Sequence, residues 1–423
     1  MIELALAGSR DYFLKNGKPF FYLADTIWAT FTNVTLEEWA RYLVVRRGQG
    51  FNALQISILP ITHDRSVPPE EVPPFLPNGE GRWDFSQPNA AYFDKAERMV
   101  EMATAQGFLP VLTVLWCSYV PDTRCSRGSP IASAMQLEQV KPYATMVTRR
   151  FRRFRPIMVV SGDTRFESES EAPYYGAALE AVKAEWPEAI VSMHLHPEGN
   201  LPPPFDTAVD FYSFQSGHHF EHTDRPWKLA ETFRRYPKRV PILNSEPCYE
   251  GHGRIAPDIS RWSQAEVRKA AWQSMMSGAK MGVAYGAHGV WGFHRRGFDF
   301  LAKKRSLEPF DWEDSLHFPG AWDMGFARWL FEAKDLFALN PADVLRTGGP
   351  DARAMASADG RRLAIYSPGP FDIEVDMDLT GYDVSAFDLA ERRAFWPQVE
   401  PGRPSLIVQP RVNADVLILA ERA

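Results

Sequence analysis

Short apolar runs recur along the chain, and stretches of helical periodicity separate them. The first run, "FFYLADT" (20–26), precedes "TLEEWARYLVVRRGQG" (35–50), in which Thr35 and Glu38 form a capping box and Gly48 or Gly50 supplies a stop. "NALQISIL" (52–59) is the second run. The helical stretch "AAYFDKAERMVEMATAQG" (90–107) leads to "LPVLTVLW" (109–116), and "LEQVKPYATMVTRRFRRF" leads to "PIMVVSGD" (156–163). "PYYGAALEAVKAEWP" leads to "IVSMHLH" (190–196), and 206–219 supplies a sixth strand. "VPILNSEP" (240–247) and "GVAYGAHGVW" (282–291) complete the strands, with a second capping box at Ser263 and Glu266 between them. The helix "GAWDMGFARWLFEAKDLFAL" closes the series.

Strands alternating with helices predict a parallel sheet covered by helices, and eight such units predict a closed (β/α)₈ barrel, an α/β fold. The longest connections follow the second strand (60–88) and the eighth (292–319), on the side where barrel enzymes build their sites. After about residue 340 the helical period disappears. "RRLAIYS", "FDIEVDMDL", "SLIVQP" and "DVLILAE" alternate apolar and polar residues between Gly, Pro and Asp. The expectation is a barrel domain over 1–340 and a small C-terminal antiparallel β-sandwich domain over 341–423.

A net charge of −6 offers nothing to nucleic acid or anionic lipid, and the basic cluster "RRFRRFRP" (149–156) reads as a solvated helix end. Three cysteines, Cys117, Cys125 and Cys248, cannot form a fully paired disulfide framework, and their spacing along the chain suits no zinc motif. The N-terminus does not read as a secretory signal and no 18-residue apolar run is present, so a cytoplasmic protein is expected. Oligomeric state is not readable from the sequence.

In a barrel the strand C-termini converge on one mouth, which makes the acids there informative. Asp163 ends strand four and Glu246 ends strand seven. Two such acids suit glycoside hydrolysis, where one carboxyl gives a proton and the other attacks or stabilises an oxocarbenium-like carbon. Gly162 is expected to let the backbone approach a sugar closely. Asp25, Trp28, Gln55, Trp116, His194, His196, Gln215, His218, Tyr285, His288 and Trp291 also fall at strand ends, and are expected to bind hydroxyls and sugar faces. Carbohydrate sites often use exposed aromatic faces, and the chain holds 13 Trp. His194, His196 and His218 could instead hold a metal, but strand one lacks the His-x-His of barrel metallohydrolases. Neither a metal nor another cofactor is expected. No nucleophile-elbow or glycine-rich phosphate loop is evident in the sequence.

These stretches resemble the apiosidase-like glycoside hydrolases, family 140. The resemblance rests on "NGKPFFYLADTIW" (16–28), "GFNALQ" (50–55), "VVSGD" (159–163), "HLHPEG" (194–199), "QSGHH" (215–219), "PILNSEP" (241–247), "GAKMGVAYGAHGVW" (278–291) and "PGAWDMG" (319–325). It implies a barrel with a collagen-binding-like C-terminal sandwich, and retaining cleavage of an apiofuranosyl linkage. Asp163 would be the acid/base and Glu246 the nucleophile, with Asp25, Gln55, His196, Gln215 and His218 at pocket positions. Relatives often have Gly-Gly-Asp where this chain has Ser161-Gly162-Asp163, and "FDLAERRAFWP" departs from their Trp-Phe-Asp-Pro-Arg-like turn. The expected substrate is a small plant-derived glycoside or oligosaccharide. A pyranoside-active barrel glycosidase and a non-catalytic carbohydrate- or protein-binding module are the alternatives.

Overall fold

The computed structural model describes residues 3–61, 66, 72–79, 82–127, 134–255, 260–301, 307–408 and 412–422. Parts of the two long connections (60–88 and 292–319) therefore lie outside the described residues. Eight parallel strands form the barrel: β1 (Tyr22–Thr26), β2 (Ala53–Ser57), β3 (Leu109–Trp116), β4 (Ile157–Gly162), β5 (Val191–Ser192), β6 (Tyr212–Gln215), β7 (Ile242–Glu246) and β8 (Gly282–Tyr285). Their ladder runs β5-β4-β3-β2-β1-β8-β7-β6. The seam between β5 and β6 closes through a parallel bridge from His194 to Ser213 and through Val191 N–H donating to Asp210. Every barrel strand is buried along its length, as expected where helices cover the outer face and side chains fill the interior.

Seven of the eight strands are followed by a full helix: α1 (Leu36–Gly48), α2 (Ala90–Ala105), α3 (Leu137–Phe151), α4 (Glu171–Glu185), α5 (Arg225–Phe233), α6 (Gln264–Met276) and α7 (Gly320–Ala333). After β5 there is only one turn, Phe205–Ala208. Both capping boxes form: Thr35 with Glu38 starts α1 and Ser263 with Glu266 starts α6. The basic cluster at the end of α3 is paired as well as solvated. Arg149 and Arg152 reach Glu185, Arg150 reaches Asp94 and Glu97, and Arg153 reaches Glu97.

Two apolar cores divide the barrel. Tyr22, Ala24, Ala53, Leu109, Val111, Ile157, Val159, Phe211, Leu243 and Ala284 fill its interior. Phe13 and Phe20, from an antiparallel ribbon over residues 4–20, join them and plug one end. The larger core lies between strands and helices. Alternation along a strand assigns each side chain to one core or the other.

The C-terminal region is an antiparallel sandwich. Strands Arg353–Ala356, Arg362–Ser367, Val416–Glu421, Asp383–Asp388 and Arg393–Phe395 form one sheet, with Asn340–Pro341 at its edge. Strands Ile373–Val375, Ser405–Val408 and Gln398–Glu400 form the other. Ile365, Ile373, Val375, Ala386, Ile407 and Ile418 fill the space between them.

The sandwich is tied to the barrel by a buried charge network. On α6, Arg268 donates to Asp415 through Nε at 2.9 Å and to Asp323 of α7 through Nη1 at 2.6 Å. Asp323 also accepts from Arg392, and Asp415 from the Tyr366 hydroxyl. Removing one partner from such a network strands the others without water. Arg268→Met is expected to cost about 3–5 kcal/mol, read as a fall in the urea unfolding midpoint. An unchanged midpoint would show that the network contributes little.

Candidate active site

Glu246 stands at the end of β7, and a backbone irregularity aims it. Phe214 pairs with Asn244 and the next residue, Gln215, pairs with Glu246, so Ser245 is an extra residue on β7. A bulge of this kind shifts the alternation by one position. Asn244 faces outward, donating to Ser274 of α6 and to Ser216. Ser245 faces inward, where its hydroxyl meets Ser213 and His194. Without the bulge Glu246 would point outward with Asn244. With it, the carboxylate shares the mouth with Gln215.

The carboxylate is enclosed by donors. Gln215 Nε2 donates to Oε1 at 2.6 Å, His218 Nε2 lies 3.1 Å from the same oxygen, and His194 Nε2 lies 3.2 Å from Oε2. His218 Nδ1 accepts the Tyr249 backbone N–H, so its proton is on Nε2 and faces the carboxylate. The Tyr249 hydroxyl accepts from Trp28 Nε1 at 3.0 Å. Burial by itself would raise the Glu246 carboxyl; the His194 and His218 imidazoles facing it outweigh burial and hold the group well below the usual carboxylate range.

Asp163 follows β4 directly. Its φ of 54° is left-handed, a conformation that Asp tolerates better than most residues. Arg124 Nη2 pairs with Asp163 Oδ2 at 2.8 Å, and Cys125 Sγ lies 3.7 Å from the same oxygen. Gly162 serves a purpose other than the expected approach to a sugar: a Cβ there would meet the Trp116 ring at 2.2 Å. Its missing side chain is filled by the indole.

The floor between the two walls is aromatic. Trp28 lies edge-on to Trp116 at 4.9 Å between centroids, and His194 lies 5.1 Å from Trp28. Trp116 Nε1 and Gln215 Oε1 are buried without a hydrogen-bond partner among the described residues. His196 accepts from Arg165 Nε at 3.0 Å. Burial first, then Arg165 and Arg124, push its ring down to about 2, so it is neutral.

His194, Gln215 and His218 thus meet Glu246, Trp28 and Trp116 pack against His194, and His196 lies against Arg165. Gln55 lies one layer below and spends its amide on the Ser245 carbonyl, Thr26 and Tyr22. Asp25 and Tyr285 depart from expectation. They pair across the β1–β8 ladder and share its outer face. Asp25 is fully buried against Arg46 at 2.6 Å and the Tyr42 hydroxyl, and Tyr285 donates to Glu250 at 2.6 Å. These contacts lie outside the barrel interior: those of Asp25 with the helix α1, that of Tyr285 with the connection after β7. β8 ends at Tyr285, so His288 and Trp291 lie in the following turns. His288 is buried and lies tilted against His252, which stacks on His218; Trp291 packs on Phe300.

Arg124, Cys125, Arg165, Tyr249 and His252 join the site without having been singled out in the sequence. Tyr249, three positions beyond Glu246, was open to detection by its closeness to that acid.

Residues 8–338 match the sequence profile described as "Apiosidase-like, catalytic domain". The chain belongs to that family. It is a glycoside hydrolase on that ground. Among solved structures, the apiosidase-like chain is similar to a glycoside hydrolase family 5 protein from Bacteroides vulgatus ATCC 8482, with 19% identity, 99% of this chain and 93% of that one covered, and a TM-score of 0.80. A structure titled "Glycoside hydrolase" gives 20% identity, 100% and 97% coverage, and a TM-score of 0.81. A noncanonic maltogenic α-amylase from Thermotoga neapolitana gives 11% identity, 95% and 99% coverage, and 0.54. At these identities the similarity is one of fold. No curated protein gives a significant match. Among the described residues, no helix is long and apolar enough to cross a membrane.

Because donors depress the Glu246 carboxyl, its bonds stabilise the fold above the ordinary Glu range, near 4.3, and that contribution is lost as pH falls through the depressed value. His218→Phe removes one donor and moves the carboxyl back upward. The acid limb of the kcat/KM profile on an aryl glycoside should shift to higher pH. An unmoved limb would show that His218 does not set the charge of Glu246.

Proposed function

We propose that the protein is a retaining glycosidase that removes a terminal furanosyl, apiosyl-like residue from a small plant-derived glycoside. The observation that carries this reading is the Glu246 carboxylate, held ionised among His194, Gln215 and His218 at a strand end that a bulge turns into the mouth. A nucleophile must be charged before substrate arrives, and these donors keep it so. The family description supports the sugar.

In the first step a Glu246 oxygen attacks the anomeric carbon while Asp163 gives its proton to the departing oxygen. The leaving group departs neutral, and the sugar is held as an ester on Glu246. In the second step Asp163 takes a proton from water, which attacks the same carbon and frees Glu246. Asp163 has to leave its Arg124 pair to hold the first proton, and Arg124, about one-third exposed, has room to withdraw.

Two variants test the roles. Glu246→Ala should lose turnover of an activated aryl glycoside by more than about 10⁴-fold, the upper range for proton transfer alone, and azide should restore it as a glycosyl azide. Asp163→Asn should lose about 10²–10⁴-fold on natural glycosides, and far less in the first step on substrates with good leaving groups. Full activity in Glu246→Ala without azide would overturn the assignment.

A further inference from the structure

The wall that carries Asp163 contains a second chemistry. Cys117 lies just past β3 in the turn Cys117–Tyr119, and Cys125 lies in the short helix Arg124–Arg127 of the same connection. Their spacing along the chain suits no zinc motif, yet the fold brings them together beside a carboxylate supplied by β4. One ligand atom from each of Cys117, Cys125 and Asp163 lies within 4.8 Å of the other two. Cys125 Sγ is 3.7 Å from Asp163 Oδ2, and both cysteines are buried. The third cysteine, Cys248, is buried beyond β7, on the far side of Glu246 in sequence.

We infer that Cys117, Cys125 and Asp163 form a binding site for a thiophilic divalent cation of the Zn²⁺ type, which occupies the carboxylate that the hydrolase needs. Zinc bonds to sulfur at about 2.3 Å and to carboxylate oxygen at about 2.0–2.2 Å in a tetrahedron. Two such bonds set roughly 109° apart leave sulfur and oxygen about 3.5 Å from each other, close to the separation seen here. Three protein ligands leave one position for water or for a substrate hydroxyl.

The charges also balance. Asp163 and Arg124 already form an ion pair, and ordinary thiols are mostly uncharged S–H groups at neutral pH. On binding, two S–H bonds break, two metal–sulfur bonds form, and two protons leave for solvent. One dication replaces two protons, so the buried charge is unchanged and Arg124 stays as counter-ion. Thiolates select zinc, cadmium or cobalt over magnesium or calcium, which take oxygen ligands. The cation belongs to no step of hydrolysis; it competes with the proton for Asp163.

Binding is read with Co²⁺ on the full chain, stripped with chelator and kept reduced with a phosphine. The expected result is one Co²⁺ per chain with thiolate-to-cobalt charge-transfer absorption, displaced by Zn²⁺ and untouched by Mg²⁺. Cys117→Ser and Cys125→Ser, each checked for folding by circular dichroism, should lose the band and weaken binding by more than the roughly 10–100-fold typical of a residue behind the ligands. Cys248→Ser should keep the band. Absence of the band in the native chain, or its loss in Cys248→Ser alone, would overturn the site.

The effect on turnover rests on the acid/base role proposed for Asp163, and the two failures are separable. A stoichiometric band with Zn²⁺ inhibition that Cys125→Ser relieves supports both. A stoichiometric band with undiminished turnover supports the site and contradicts the role of Asp163.

Discussion

The site depends on keeping one carboxylate charged where there is almost no water. Glu246 is only 7% exposed, and burial of a lone carboxylate would favour its protonated form. The structure offsets this with an amide from Gln215 and the rings of His194 and His218. Both rings have support of their own: Ser245 holds His194, and the Tyr249 backbone orients His218. His252 stacks behind His218, with His288 tilted against it. Much of the barrel mouth is therefore given to one charge, whereas Asp163 is held by a partner able to withdraw.

The architecture was legible in the sequence because its signals are local. Strand-like apolar runs, two capping boxes and the loss of helical period near residue 340 all correspond to elements of the fold. The family resemblance, read from motifs spread along the chain, agrees with the match over residues 8–338. The contacts of His194, Gln215 and His218 with Glu246 also follow from strand ends converging.

The facing of individual strand residues was not legible. β1 is buried on both faces, so "FFYLADT" shows no alternation, and nothing in it marks Asp25 as outward. Its true partner, Arg46, is a helix residue whose charge reads as solvent-exposed in sequence yet is fully buried. Tyr285 follows the same parity from the neighbouring strand. At Glu246 the opposite holds: simple alternation from Asn244 would turn it outward, and the bulge at Ser245 reverses this. Gly162 and Arg124 were hidden for another reason. Their partners, Trp116 and Asp163, come from neighbouring strands, and such pairings exist only once the sheet is assembled.

A covalent intermediate on Glu246 is the consequence that no other arrangement of these residues shares. The direct measurement is mass spectrometry of the chain quenched in acid during turnover of an activated fluoro-sugar glycoside, followed by proteolysis. The expected result is one added sugar mass on the peptide that contains Glu246, together with a first-formed product of unchanged anomeric configuration. Turnover with no adduct and an inverted product would contradict it.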